Sequence, residues 1–199
     1  ENQANILQAL KMMTSAKKGN YLVFLPSYSY LTTIVTAFCQ ECPEQNVAVQ
    51  KNEMDAKQRE QFLANFQSDL VEPVLGFAVL GGIFSEGIDL KGDRLSGVAI
   101  ISVGLPPNDP ELDTLKEYYS HQGKDGFQYA YQLPGINNVF QAAGRVIRDE
   151  QDHGVVMLID ARFNQRRYTS FYPPHWQNYH AVYSSTELKT TLANFWKHK

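Results

Sequence analysis

Cysteine is scarce in this chain of 199 residues: only Cys39 and Cys42 occur, and neither a second Cys pair nor a His cluster stands ready to complete four ligands. That excludes a disulfide framework and a four-thiolate centre built by this chain alone. The Cys-x-x-Cys spacing matches half of a redox or zinc site, but it falls at the end of a helical pattern, away from the helix start that would stabilise a thiolate. No run of 18 apolar residues and no signal-peptide pattern is present, so neither a spanning helix nor secretion is expected, and the expected location is the cytoplasm. An excess of basic charge is also missing, since 18 Lys and Arg face 21 Asp and Glu for a net charge of −3. Any nucleic-acid contact must therefore come from a local patch. One candidate exists, because five of the seven arginines lie between Arg145 and Arg167. Finally, the chain holds no G-x-x-x-x-G-K-[ST] loop and no strand ending in Asp-Glu-x-His that could hold Mg²⁺. Asp149-Glu150-Gln151-Asp152-His153 follows a helical pattern and precedes a strand, so it is not such a site.

What is present is the make-up of one soluble domain over residues 1–199, 43% apolar and 20% charged. Helical spacing of Ile6, Leu7, Leu10 and Met13 over 4–18 ends at Lys17, Lys18 and the stop Gly19-Asn20. The short apolar run Tyr21–Leu25 reads as a strand buried on both faces, and Leu31, Ile34, Val35 and Phe38 mark a second helix. Further strands are expected at 46–50, 74–80, 97–103 and 154–159, the last one buried and ending at Asp160. Asp55 with Gln58 spells a capping box for a helix burying Phe62, Leu63 and Phe66. Asp109-Pro110-Glu111 opens another, with Leu112, Leu115 and Tyr119 as its buried stripe. Strands alternating with helices predict an α/β fold, a parallel sheet with helices on both faces, and ligands at the C-terminal ends of its strands. There is no internal repeat or low-complexity segment.

Three strand ends and one helix carry the unusual residues. Pro26-Ser27-Tyr28-Ser29-Tyr30 sets hydroxyls and aromatics at a helix N-terminus, suited to a strand phosphate or simply to an N-cap. Gly81-Gly82-Ile83-Phe84-Ser85-Glu86-Gly87-Ile88-Asp89-Leu90 lets a loop bring its backbone close to a ligand. Counted from Ile136, a helical pattern buries Ile136, Val139, Phe140, Ala143 and Ile147 and turns Gln141, Gly144, Arg145 and Arg148 to the other side. Two guanidinium forks one turn apart suit an incoming phosphate; a solvated face paired to Asp149, Glu150 or Asp152 is the competing reading. From Arg162 to Tyr183 rings and arginines interleave, a pattern that suits single-stranded nucleic acid. Pro173-Pro174-His175-Trp176 reads instead as a rigid cap over the sheet, followed by a helix bearing Leu188, Leu192, Phe195 and Trp196, so that 163–199 forms an aromatic-rich tail packed on the domain.

In order, Tyr21 to Leu31, Gly81 to Leu90 and Gln141 to Arg148 resemble motifs IV, V and VI of superfamily 2 helicases, most closely the XPD/DinG family. Ser85-Glu86-Gly87-Ile88-Asp89 and Gln141-x-x-Gly144-Arg145-x-Ile147-Arg148 are the most specific pieces, and Asp160-Ala161-Arg162-Phe163 resembles the Asp-x-Arg step after motif VI. The resemblance, over about residues 4–176, implies a RecA-like second lobe of an ATP-dependent DNA helicase, of a kind found in DNA repair. It implies that Arg145 and Arg148 are catalytic, reaching the γ-phosphate, and that Gln141, Gly144, Gly87 and Asp89 serve the nucleotide cleft. Ser27, Tyr28, Ser85 and Arg162 then face single-stranded DNA. ATP and Mg²⁺ would be bound mainly by a first lobe of the same parent, the main partner besides DNA. An iron-sulfur cluster is possible in that parent but not in this chain. The start at Glu1 without Met fits a lobe cut from a longer protein, expected to fold as a monomer off the membrane. The alternative is a non-catalytic binding or interaction module that keeps the helicase fold, for example beside a nuclease domain.

Overall fold

The computed structural model describes residues 2–68, 71–85, 90, 92–147 and 152–197. Five strands form one sheet: β1 (Tyr21–Leu25), β2 (Val47–Val49), β3 (Leu75–Val79), β4 (Gly97–Ile101) and β5 (Val155–Ile159), in the order β2-β3-β1-β4-β5. Every neighbouring pair is parallel, with Tyr21 opposite both Leu75 and Gly97. All five residues of β1 are buried. A parallel sheet needs helical crossovers that cover both faces, which is why its inner strands read as unbroken apolar runs.

The helices are α1 (Gln3–Ala16), α2 (Tyr28–Glu41), α3 (Ala56–Ala64), α4 (Pro110–His121), α5 (Leu133–Ala143), the short α6 (Arg166–Thr169) and α7 (Ser185–Lys197). On one face α1 and α2 pack Ile6, Leu10, Met13, Ile34 and Phe38 against Val23, Leu25, Phe77 and Ile101. On the other, Phe62 of α3 and Ile136 and Val139 of α5 meet Leu22, Phe24, Val98 and Ile100. The caps follow the sequence signals. Asn2 accepts from the Ala4 N–H, the Asp55 and Gln58 capping box is closed in both directions, and Asp109 caps α4 with Pro110 at its first position.

Three expectations need correction. The Leu112, Leu115 and Tyr119 stripe of α4 does not enter the core, and α4 has no buried residue. This helix leaves the end of β4 and pairs with a π-helical turn, Gln128–Gln132, through stacked Tyr119 and Tyr129 rings at 4.5 Å and a Tyr131 hydroxyl donating to Asp113 at 2.8 Å. Of its stripe, Tyr119 thus faces the partner turn of a hairpin, and Leu115 is exposed. Strand β5 is half-exposed along its whole length because it is an edge strand with one ladder partner among the described residues. Finally, α5 stops at Ala143, before the arginines. Arg145 and Val146 donate to carbonyls three residues back, at 3.2 Å each, and this tighter turn shifts the phase. Val146 is buried in place of Ile147, which is 48% exposed.

The C-terminal region packs largely through its rings. Trp176 sits edge-on to Phe140 at 5.1 Å and to Tyr172 at 5.4 Å, capping α5 rather than the sheet itself. Burial pushes the Tyr172 phenol up to about 12, and its hydroxyl donates to the Phe163 carbonyl at 2.9 Å. Helix α7 lies along α1, with Leu192 buried and the Lys17 ammonium 4.3 Å from the centre of the Trp196 ring. Cys39 and Cys42 are free and half-buried.

Where α5 crosses the loop after β4, two backbones touch. A Cβ on Gly135 would lie 2.9 Å from the Gly104 carbonyl group and from the Val103 oxygen. Alanine favours a helix over glycine by about 1 kcal/mol, but forcing two backbones apart costs about 1–3 kcal/mol, so the clash wins. Gly135→Ala is therefore expected to lower the urea midpoint. Gly144→Ala, whose Cβ would meet nothing nearer than the Phe140 oxygen at 3.3 Å, is expected to stay within about 0.5 kcal/mol of the parent.

Candidate interlobe and nucleic-acid site

Because all five strands run the same way, their C-terminal ends open on one edge of the sheet. At the end of β1, Ser27 is the N-cap of α2 and accepts from the Tyr30 N–H at 3.2 Å, so its first role is the ordinary capping one. Tyr28 begins the helix, half-exposed, and its hydroxyl accepts from the side-chain amide of Gln50 at 2.7 Å. Gln50, one residue past β2, is 2% exposed. Its Oε1 accepts from the Val79 N–H at 2.8 Å.

The glycine-rich loop follows β3. Gly81 has φ 74°, a left-handed conformation suited to glycine, and a Cβ there would strike the Asn138 amide of α5 at 2.9 Å. Ser85 is fully buried. Its Oγ accepts from the Gly81 N–H at 2.8 Å, closing the loop on itself. In this conformation the Ser85 hydroxyl does not reach the surface, contrary to the expectation that it faces DNA. Gly87 and Asp89 lie outside the described residues.

Of the helix residues, Gln141 and Gly144 are exposed and Arg145 is half-buried. Arg145 is not on the helix face where the sequence put it. From the turn after α5 its Nε donates to the Ser85 carbonyl at 3.1 Å, which ties the end of α5 to the glycine loop. Arg148 lies outside the described residues.

At the ends of β4 and β5 a third cluster forms. Arg162 donates from Nε and Nη2 to both Asp160 oxygens at 2.6–3.1 Å, and from Nη2 to the Ser102 hydroxyl at 3.3 Å. Burial pushes the Asp160 carboxyl up, but the Arg162 guanidinium and backbone N–H outweigh it, and the net shift is downward. Arg162, expected at the DNA, thus has its charge matched by Asp160. Ser102 holds φ 81°, uncommon for a residue with a Cβ and of a kind that collects at functional sites. Gln50 and Ser102 were not singled out from sequence. A buried glutamine at the end of an apolar strand is a legible signal, whereas a positive φ at a serine leaves none.

The described residues contain no His/Cys/Asp/Glu group able to hold a metal ion, and no helix long and apolar enough to cross a membrane. Two cysteines do not fit a four-thiolate iron-sulfur cluster.

The helicase C-terminal domain pattern matches residues 10–179. The chain belongs to that family. Among curated relatives, this helicase C-terminal lobe is 30% identical over 173 residues to the probable ATP-dependent helicase MJ0942 of Methanocaldococcus jannaschii, covering 80% of this chain and 25% of the relative. To the ATP-dependent DNA helicase YoaA of Haemophilus influenzae it is 31% identical over 172 residues, covering 84% and 26%. The solved structure of apo XPD superposes with a TM-score of 0.66 at 26% identity, over 84% of this chain and 33% of that one. The lobe is thus of the XPD/DinG type, with a RecA-like sheet, and spans about a quarter of the length of these two curated relatives.

The Asp160 pair generates a pH prediction. Since the folded carboxyl titrates below its ordinary value of 3.8, its stabilising contribution is complete above the unfolded pKa and is lost as pH falls through the folded one. Asp160→Asn is expected to cost about 1.5–3 kcal/mol at pH 7, the range for a hydrogen bond to a charged group. Denaturant midpoints of variant and parent should converge once the pH is below the folded pKa of Asp160.

Proposed function

We propose that this lobe is the second motor lobe of an ATP-dependent DNA helicase, active in DNA repair as a cytoplasmic monomer, that closes on nucleotide held chiefly by a first lobe of the same protein. The observation that carries the reading is the bond from Arg145 to the Ser85 carbonyl. It joins the motif expected at the γ-phosphate to the loop expected at the strand, so that a change at either is felt by the other. Both relatives described above are named ATP-dependent helicases, one of them a DNA helicase, which supports the substrate class.

ATP with Mg²⁺ fits this lobe only in part. The chain has arginines to meet a phosphate but neither a phosphate-loop lysine nor a paired carboxylate for the metal. Bound nucleotide supplies the phosphoryl group whose transfer drives the motor. What this chain adds is charge and geometry: Arg148 as the arginine finger, Arg145 with its Nε already fixed, and Gln141, Gly144, Gly87 and Asp89 as the residues for the cleft. On the strand side, Ser27 and Tyr28 offer a helix N-terminus and a phenol, while Arg162, held by Asp160, borders the same edge. Ser85 shapes the loop and meets the strand only if that loop opens. The competing reading, an interaction module without motor activity, differs in one respect that can be measured: its parent would not couple DNA to ATP turnover.

The isolated lobe should hydrolyse no ATP. In the complete helicase, Arg148→Ala should lower DNA-stimulated turnover by about 10³-fold, near 4 kcal/mol of transition-state stabilisation, with much less effect on ATP binding. Arg148→Lys should restore little, because a point charge lacks the planar fork. Turnover of Arg148→Ala within two- or threefold of the parent, measured at saturating DNA, would remove the arginine-finger assignment. For the isolated lobe, contact with about two to four phosphates gives a slope of log affinity on log salt of about −1.4 to −2.8 on single strands. Tighter, salt-insensitive binding to duplex would show that the nucleic-acid surface lies elsewhere.

A further inference from the structure

Strand β2 is short, and its ladder with β3 runs only from Val47 opposite Leu75 to Val49 opposite Phe77. The Gln50 N–H makes one more rung, to the Phe77 carbonyl at 2.8 Å. The next donor on that edge, the Val79 N–H, has no strand residue opposite it. The Gln50 side chain folds forward and supplies the acceptor, so that Oε1 continues the ladder by one rung after the backbone has left it. This fixes the amide orientation, because the acceptor oxygen must face Val79 and the NH₂ must then point away from it. That NH₂ meets the Tyr28 hydroxyl at 2.7 Å. The same nitrogen lies against the second glycine of the loop, 3.4 Å from where a Cβ on Gly82 would stand.

A buried primary amide with both ends committed is a rigid spacer. It touches the end of β3, the first turn of α2 and the glycine loop, which are the three pieces that the strand-binding reading brings together. Tyr28 is half-exposed, so its ring could otherwise take several positions at the mouth of that edge. With its hydroxyl accepting from the Gln50 NH₂, the phenol does not use its own proton on Gln50 and can donate it to another acceptor.

We infer that Gln50 is a positioning residue for single-stranded DNA: it holds the Tyr28 phenol at a fixed height above the sheet edge, with its proton directed at the strand. The inference rests on the proposed strand-binding reading and extends it to a residue outside the three motifs. Leucine at position 50 keeps the volume and loses both bonds. Glutamate keeps both, since either protonation state of its carboxyl can accept from Val79 and share a hydrogen with the Tyr28 hydroxyl, although an ionised carboxylate would turn the phenol proton inward.

The test uses the complete helicase carrying this lobe, with oligothymidylate as the strand and DNA-stimulated ATP turnover as the signal. Gln50→Leu is expected to raise the half-saturating strand concentration by about fivefold or more, the effect of one lost polar contact, with the change falling there rather than on turnover at saturating strand. Tyr28→Phe, which leaves the ring in place, should produce a loss of similar size. The double variant should be no worse than either single one, because both remove the same outward proton. Gln50→Glu should recover strand affinity as pH is lowered toward protonation of the new carboxyl, a readout that a purely structural role would not move. Additive losses in the double variant, or a Gln50→Leu protein with a lower melting midpoint and unchanged half-saturation, would overturn the inference while leaving the helicase reading intact. Absence of any stimulation of the parent by single strands would overturn both.

Discussion

The placement of β1 between two parallel partners is the constraint from which the rest follows. A strand hydrogen-bonded on both edges and buried on both faces can carry no function along its length, and Tyr21–Leu25 carries none. Its neighbours must run in the same direction, and each return must cross the sheet as a helix or loop. The polar residues that the core cannot accept are therefore delivered to strand ends. Five such ends share one edge, and Ser27, Gln50, Ser85, Ser102 and Asp160 are all found there. The candidate site is where the fold's apolar demand stops.

Loops at both edges are laced by buried amides, joined at the functional edge by the Asp160 and Arg162 ion pair. At the opposite end of β1, Asn20 donates to the Gln67 carbonyl at 2.7 Å and to the Arg94 carbonyl at 3.2 Å, and accepts from the Val74 N–H at 2.9 Å. Gln50 does the corresponding task at the functional edge. An amide offers two donors and an acceptor without the desolvation cost of a buried charge, so it can join three backbone segments in the interior at modest expense. Arg145 also ties a loop through the loop's carbonyl, but as a charged group it does so from a half-exposed position.

The order of strands and helices and the family motifs were legible in the sequence because they depend on local pattern. Tyr21–Leu25, the Asp55 and Gln58 box and the Asp109 cap all fell where expected. What escaped was decided by tertiary context. The periodicity through Ile147 is genuine, but a tightened turn after Ala143 rotates the chain and buries Val146 instead. Leu112, Leu115 and Tyr119 make an apolar stripe, and no pattern within α4 tells whether it faces a sheet or a neighbouring turn. The apolar run of β5 reads like that of β1, yet its half-exposure follows from its place in the strand order, a property of the whole sheet.

The hairpin built by α4 and the π-helical turn has a consequence for how the lobe opens. Helix α4 is held chiefly by the turn it faces, through the Tyr119 and Tyr129 stack, the Tyr131 to Asp113 bond and the close fit of Gly126, where a Cβ would strike the Lys116 oxygen at 2.0 Å, while the turn itself is anchored by buried Ala130, Tyr131 and Gln132. Since α4 buries no residue, undoing it exposes little that the core needs hidden. Such a helix can melt while the sheet and the π-helical turn stay whole, and its amide protons exchange with water by that local route. Those of β1 must wait for the entire domain to unfold.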